Sequence, residues 1–440
     1  MKILMICTYF SPDTAISAVR PYMLAKYLTQ LGHQVTVLRS GLINKAADDA
    51  MPLVALGETN VISYLGADSP AERYETSGQQ ASMKGLEQSR ISFLPPAVRI
   101  PIARVYHNVM RPLEVSRQKK AMEQRLAQQC RALDALKGQS FDMVFSTYGE
   151  LENVYAGAYA AELFGCKWVL DFRDPISHHA SKATRENRKL NRIQADAVNS
   201  ADLCTAVSQG LVDTLAAQSS NVPIRLLRNG YEEVASPAEP AGKEPGVLSF
   251  CYTGGIYSGL TTFEPLFQAI RQLGLPLNRL RLHYAGATPE LLSQQVEKYQ
   301  MQSIFVNHGY LSRQETAALQ AQSDIFLVGS WNHRNEGGVM TGKFYEGIRS
   351  RTPILSLISG DLPDSELYQL NEQYHYGFCY ESCRGQAHFQ EFCGYLKQAF
   401  SQKMENGQVS YQPAPELFTD FRYDSLARQL ESIFQELTEG

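Results

Sequence analysis

KILMICTYFSPDTAISAVRPYMLAKYLTQLGHQVTVL, residues 2 to 38, reads as strand, loop, helix and strand. KILMIC is an unbroken apolar run, Ala18 to Leu31 carries apolar residues at helical spacing, and Gly32-His33 stops the helix before QVTVL. A strand that is apolar at every position is one buried on both faces, as in a parallel sheet covered by helices on each side. Further runs of this kind occur at MVFST (143 to 147), KWVLDF (167 to 172) and LCTAVS (203 to 208), with helical text such as VYAGAYAAELFG between them. A doubly wound α/β domain is predicted.

The periodic pattern breaks at NGYEEVASPAEPAGKEPG (229 to 246), where Pro, Gly, Ala and Glu replace the apolar runs; this reads as a linker over 233 to 246. A second alternation follows at once. LSFCYTGG, LRLHYAG, IFVNHGY, DIFLVGS and PILSLIS read as strands, separated by helices through FEPLFQAIRQL, LLSQQVEKYQ, ETAALQAQ and KFYEGIRSR. Two α/β domains facing a cleft are therefore predicted, residues 1 to 232 and 247 to 414. The stretch from Leu42 to Gln88 reads as irregular, and SLARQLESIFQEL near the end is an amphipathic helix with Leu426, Leu430 and Phe434 on one side.

A length of 440 residues requires more than one core, and 44% apolar with 20% charged residues excludes a disordered or fibrous chain. The net charge of -4 gives no general attraction to nucleic acid. Locally, Arg90 to Arg131 holds nine Lys/Arg against Glu114 and Glu123, with Phe93, Leu94, Ile100 and Tyr106 interleaved; this reads either as a surface for an anionic bilayer or as a solvated face. No segment reaches the ~20 apolar residues of a spanning helix, and eight cysteines without a signal peptide predict reduced thiols and a cytoplasmic protein. Cys379, Cys383 and Cys393 with His388 match no common zinc spacing, so no metal site is expected.

Open α/β sheets bind ligands beyond the carboxyl ends of their strands, where helix N-termini present free N–H groups to anions. Thr341-Gly342-Lys343, after the loop NHRNEGGVM, opens a helix in that position. Thr341 and Gly342 offer backbone N–H groups to a pyrophosphate, Lys343 a positive charge, and Glu346 a carboxylate for two ribose hydroxyls. The alternative is a helix cap with a surface lysine and a solvated glutamate, since the full phosphate-loop pattern is absent. In the first domain Asp171-Phe172-Arg173-Asp174 stands at the carboxyl edge of a strand, either as a site or as a structural ion pair of Arg173 with one aspartate.

The chain resembles a GT-B glycosyltransferase of the large retaining family 4, particularly the bacterial members that build surface polysaccharides. YFSPDTAISAVRPYMLAKYLTQLGHQVTVL (9 to 38), WVLDFRDP (168 to 175), ADLCTAVS (201 to 208), LLRNGY (226 to 231), FCYTGGIY (250 to 257), YAG (284 to 286), the run from Val306 to Leu327 and GKFYEGIRSRTPIL (342 to 355) carry the likeness in order and spacing. The resemblance implies a nucleotide-diphosphate sugar donor, with UDP favoured, no separate cofactor, and a C-terminal helix (about 415 to 440) that returns to the first domain. Donor contacts would come from Gly254, Gly255, Tyr310, Leu311, Thr341, Gly342, Lys343 and Glu346. Of the family's two glutamates, the second falls on Glu346 and the first on Gly338, which leaves the donor sugar to Glu336 or to backbone groups of the Glu336-Gly338 loop. A basic pair that many relatives carry after the strand at Phe250 is replaced by Gly255-Ile256-Tyr257-Ser258-Gly259. Asp174 or Asp171 would orient an acceptor hydroxyl, Arg173 or Lys343 would offset charge on the leaving phosphate, and Arg20 would approach the acceptor or donor phosphates.

The function that follows is retaining, metal-independent sugar transfer to a polysaccharide or lipid-linked glycan at the inner membrane face. Two rivals stand beside it: a GT-B sugar-nucleotide epimerase, and a catalytically silent glycosyltransferase-like subunit, which Gly338 and the missing basic pair favour. A nicotinamide dehydrogenase is disfavoured because CTYFSPDTAISA lacks the glycine fingerprint.

Overall fold

The computed structural model describes residues 1–11, 16–40, 59–64, 111–176, 185–233, 242–334 and 337–439. The first part builds β1 (Lys2–Ile6), α1 (Ile16–Gln30), β2 (Gln34–Arg39), β3 (Asn60–Ser63), α2 (Arg111–Asp134), β4 (Met143–Tyr148), α3 (Leu151–Phe164), β5 (Lys167–Phe172), α4 (Arg185–Ser200), β6 (Leu203–Ala206), α5 (Gln209–Ala216) and β7 (Ile224–Leu226). All pairings are parallel, in the order β3-β2-β1-β4-β5-β6-β7. The unbroken apolar runs are explained by two cores, because alternate residues point to opposite faces. Ile3 and Met5 join Val35, Phe145 and Val169 on one face, while Leu4 and Ile6 join Val144, Leu170 and Trp168 on the other.

The second part builds β8 (Leu248–Thr253), α6 (Glu264–Leu273), β9 (Leu280–Ala285), α7 (Glu290–Lys298), β10 (Phe305–Asn307), α8 (Arg313–Gln322), β11 (Ile325–Asn332), α9 (Gly342–Ser350), β12 (Ile354–Gly360), α10 (Glu366–Tyr374), β13 (Gly377–Glu381) and α11 (Gly385–Asn406). These strands are parallel too, in the order β10-β9-β8-β11-β12-β13. Local signals place the helix ends. At α8, the Ser312 hydroxyl accepts from the Glu315 N–H while the Glu315 carboxylate accepts from the Ser312 N–H, a reciprocal cap.

After α12 (Leu417–Asp420) the chain crosses back. Tyr231 N–H donates to the Phe421 carbonyl at 2.9 Å and Tyr423 N–H to the Tyr231 carbonyl at 3.1 Å, stitching the crossing. α13 (Tyr423–Glu439) then lays Leu426, Leu430 and Phe434 into the first sheet's core beside Leu24, Leu28 and Phe145. Burial of three such side chains is worth roughly 4 to 9 kcal/mol.

Three strands escape the sequence reading. β3 lies in the stretch read as irregular, and β7 and β13 were not recognised. β3 and β7 are outer strands of four and three residues, partly exposed, too short for a periodic pattern to show. Cys379 and Cys393 belong to different core clusters, Cys383 is exposed, and His388 stacks on Tyr380. Among the described residues no group of three or more His, Cys, Asp or Glu is placed to hold a metal ion.

Candidate functional site

In the second sheet the strand order reverses between β8 and β11, so the segments leaving these two strands diverge and open a crevice beyond their carboxyl ends. β8 delivers Gly254-Gly255 to this crevice, and β11 delivers the loop that enters α9. Gly254 adopts φ +112, and a Cβ there would lie 2.6 Å from Lys343 Cε. Glycine thus lets the Lys343 stem cross directly over backbone. The Gly254 carbonyl accepts from Tyr284 Oη at 3.0 Å and its N–H donates to the Ala285 carbonyl at 2.7 Å, which fixes the turn.

A polar network stands at the start of α9. Lys343 Nζ meets Glu346 Oε1 at 2.7 Å, and Glu346 Oε2 accepts from Gln320 Nε2 at 2.8 Å and from Thr253 Oγ1 at 3.2 Å. Gln320 is fully buried and its own Oε1 accepts from Arg349 Nη2 at 2.9 Å. Glu346 is therefore held by both oxygens while one-fifth of its side chain reaches solvent. Thr341 takes the extended backbone of an N-cap, yet its hydroxyl makes no cap and Oγ1 is buried with no hydrogen-bond partner among the described residues. The first N–H groups of α9 consequently lack a capping side chain, the arrangement that receives an anion. Thr253, Gln320 and Arg349 were not anticipated, because a lone polar residue on a helix or strand end reads as surface.

Gly338 has φ +72, and a Cβ on it would lie 2.6 Å from Gly210 Cα and 2.9 Å from Gly210 N. Gly210 belongs to α5 of the first domain, so two backbones touch across the cleft where the resemblance calls for a glutamate. A side chain at 338 has neither the backbone conformation nor the space. Beside this contact, Glu366 Oε2 on α10 accepts from the Gln209 N–H at 2.9 Å, and its Oε1 pairs with Arg228. Tyr310 is 75% exposed and follows Gly309 at φ +67, so it packs in no core; Leu311 beside it is half-buried. Glu336 lies outside the described residues.

Two expectations in the first domain are corrected. Asp171 is fully buried, with Arg20 Nη2 at 2.7 Å and Nε at 3.0 Å, Thr205 Oγ1 at 2.7 Å and Thr147 Oγ1 at 3.0 Å. Burial pushes this carboxyl up, but the Arg20 charge and these hydrogen bonds outweigh it and hold the group below the usual carboxylate range. A saturated, buried carboxylate has no face for an acceptor. Arg20 is equally buried and spends its remaining N–H groups on the Leu227 and Arg228 carbonyls at 2.9 and 2.7 Å, so it meets neither acceptor nor phosphate. The anticipated ion pair exists, with Arg20 and not Arg173 as the partner. Arg173 is half-buried, with Nη1 on the Ser17 carbonyl at 2.7 Å, and Asp174 is exposed at the strand's carboxyl edge.

The first sheet has its own switch point, between β1 and β4. There Glu150, directly before α3, meets Tyr9 Oη at 3.3 Å and does not cap the helix. Burial first, then the neighbouring Glu152 charge, push its carboxyl up to about 7, against the lowering effects of Arg125 and Tyr9. Sequence reasoning passed over this residue, although TYGE directly after MVFS puts an acid at a strand's carboxyl end. Of the basic stretch, residues 90 to 110 lie outside the described residues. Arg125 turns inward to Glu152, whereas Lys119, Lys120 and Arg131 are exposed on α2.

Two all-parallel α/β domains that meet across a cleft, each with its switch point at that cleft, define the GT-B fold. Sucrose-phosphate synthase from Thermosynechococcus elongatus matches over 99% of both chains with a TM-score of 0.60 at 12% identity. The Anabaena protein HepE in complex with UDP and glucose matches over 99% of this chain and 100% of its own (TM-score 0.57, 11% identity), and the lipopolysaccharide outer core galactosyltransferase WaaB over the same shares (TM-score 0.53, 13% identity). Residues 17–230 match the model of the glycosyl transferase 4-like domain. No curated protein matches the chain by sequence.

Proposed function

We propose that the chain is a retaining glycosyltransferase that moves a hexosyl or N-acetylhexosaminyl group from a nucleotide-diphosphate sugar, of UDP type, to a polysaccharide or lipid-linked glycan. The observation that carries the donor half is the uncapped start of α9, flanked by Lys343 and Glu346, at the β8/β11 switch point. The diphosphate would take the N–H groups of Gly342 and Lys343 with the Lys343 ammonium, and the ribose hydroxyls would donate to Glu346. HepE, bound to UDP-glucose in one solved structure, supports a UDP-sugar donor, and the galactosyltransferase WaaB supports hexosyl transfer.

In the transfer the bond from the anomeric carbon to the phosphate oxygen breaks, and the acceptor oxygen forms its bond on the same face. The acceptor proton passes to the departing phosphate, so no protein nucleophile is used. Lys343 and Arg173 offset the charge that develops on the phosphate. Asp174 and Glu150, on the acceptor side, orient the hydroxyl. Lys119, Lys120 and Arg131 support a reading in which α2 faces an anionic membrane that carries the acceptor.

Glu346→Ala should weaken UDP binding by about 1.5 to 3 kcal/mol, measured by calorimetry on a variant that melts like the parent. Unchanged affinity would refute the ribose assignment. One observation favours the silent-subunit reading, the closed Gly210–Gly338 contact in place of a sugar-binding glutamate; UDP binding without turnover of any UDP-sugar and glycan acceptor would establish it.

A further inference from the structure

A cavity of about 640 Å³ lies at the edge of the second sheet opposite the crevice. Its place follows from its walls. Lys243 precedes β8, Pro353 immediately precedes β12, Arg351 caps the C-terminus of α9, and Gln402 and Asn406 close α11. These are strand beginnings and helix ends, whereas the donor crevice is built from strand ends and helix beginnings. α9 alone separates Arg351 from Lys343, about 13 Å for nine residues.

Among the described residues the walls include two cations and no acid; the rest is largely amide and hydroxyl, with Gln408 and Ser410 among them. Each cation shares its counter-ion with another cation. Lys243 pairs with Asp324 at 3.9 Å, but Asp324 is fully buried and already closed by Lys403 Nζ at 2.9 Å and by Ser249 N and Oγ at 3.0 and 2.9 Å. Two ammonium groups therefore divide one carboxylate. Arg351 pairs with Glu233 at 2.6 Å, and Glu233 also takes Arg422 at 3.1 Å. Burial, together with the Lys403 charge, lowers the Lys243 pKa despite Asp324, the response of an ammonium group short of negative charge.

We propose that this cavity is a second ligand site, for a small phosphate-bearing anion seated between Lys243 and Arg351. The volume suits a metabolite-sized ligand, and the wall chemistry suits one that is hydrophilic and anionic, since charge-assisted hydrogen bonds from an ammonium and a guanidinium are the strong ones for phosphate oxygens. The proposal does not depend on the donor reading, because it shares no residue with the crevice.

The test uses the full chain and two probes, inorganic phosphate and glucose 6-phosphate, titrated by calorimetry into the parent, Lys243→Ala and Lys343→Ala. The expected result is binding that weakens at least about tenfold in Lys243→Ala and is unchanged in Lys343→Ala. Tighter binding of glucose 6-phosphate than of phosphate identifies a phosphorylated metabolite as the ligand; equal binding identifies the free anion. Protection of Lys243 from acetylation by the bound probe, read by mass spectrometry on the unmutated chain, gives the same answer without a variant. Absence of binding by both probes, or a loss confined to Lys343→Ala with Lys243 unprotected, overturns the proposal.

Discussion

Replacing Asp171 by alanine should damage the fold, whereas replacing Asp174 by asparagine should not, although both acids stand in one four-residue motif. In Asp171→Ala the Arg20 guanidinium, 2% exposed, loses the only carboxylate that pairs with it among the described residues, and the hydroxyls of Thr147 and Thr205 lose their acceptor. Breaking a buried pair from one side leaves an uncompensated charge and costs about 3 to 5 kcal/mol. At roughly 2 to 4 °C per kcal/mol for a domain of this size, the melting temperature should fall by about 6 to 20 °C in scanning calorimetry. Asp174 is exposed, and Asp174→Asn should stay within about 0.5 kcal/mol of the parent while lowering turnover. The effect is pH-dependent. The folded pKa of Asp171 is depressed, so its stabilisation is complete above the unfolded carboxyl value near ~3.9 and is lost as pH falls through the folded value. The gap between parent and variant should therefore be full at neutral pH and close only in strong acid. An Asp171→Ala protein that melts within a degree of the parent at pH 7 would refute the structural role.

Glu150 titrates in the opposite sense. Its folded pKa of about 7 lies above its ordinary value, so between those values the folded chain keeps a proton that the unfolded chain has released, and stability falls as pH rises through that window. Glu150→Gln should flatten this part of a melting-temperature profile and remove a limb near pH 7 from the turnover profile; superimposable profiles would reject the assignment. At the domain contact, Gly338→Ala and Gly210→Ala each place a methyl group within 2.7 Å of the opposing backbone. Both should open the cleft and enlarge the radius of gyration in solution scattering. Gly210 is not among the positive-φ residues, so its variant separates the clash from backbone strain.

The architecture was legible because its signal is redundant. Ile3 and Met5 face one core and Leu4 and Ile6 the other, Met143 and Phe145 are likewise divided from Val144, and in the second sheet Ile325 and Leu327 are divided from Phe326 and Val328, so apolar continuity alone reports a parallel sheet. β3 and β7 carry only four and three residues and lie outermost, so they had no such signal. The site was legible where chemistry is local, as at Thr341-Gly342-Lys343 and Glu346, which lie within five residues of one another at the start of one helix. It was illegible where partners meet through the fold. Arg20 and Asp171 are separated by 151 positions, and nothing between them in sequence signals that the arginine turns inward, so proximity to a strand end was read as function. Glu346 likewise gave no hint of Gln320 or Thr253, which come from α8 and β8.

The buried pair nonetheless bears on the cleft, by a route that the contacts spell out. Arg20 donates to the carbonyls of Leu227 and Arg228 and to Asn229 Oδ1, so the charge that Asp171 neutralises is spent on holding the segment 227 to 229 in place. That segment presents the Arg228 side chain to Glu366, whose other oxygen takes the Gln209 N–H one residue before the glycine that touches Gly338. Asp171, Arg20, Arg228, Glu366 and the Gly210–Gly338 contact thus form one continuous path from the core of the first domain to the loop that leads into α9. A glutamate at 338 would need this approach relaxed, and the approach is fixed from both sides by groups that are largely buried. The glycine at 338 is therefore better understood as a consequence of how closely these two domains meet than as the loss of a single side chain, and under the proposed function a donor sugar would be met by groups other than a carboxylate at that position.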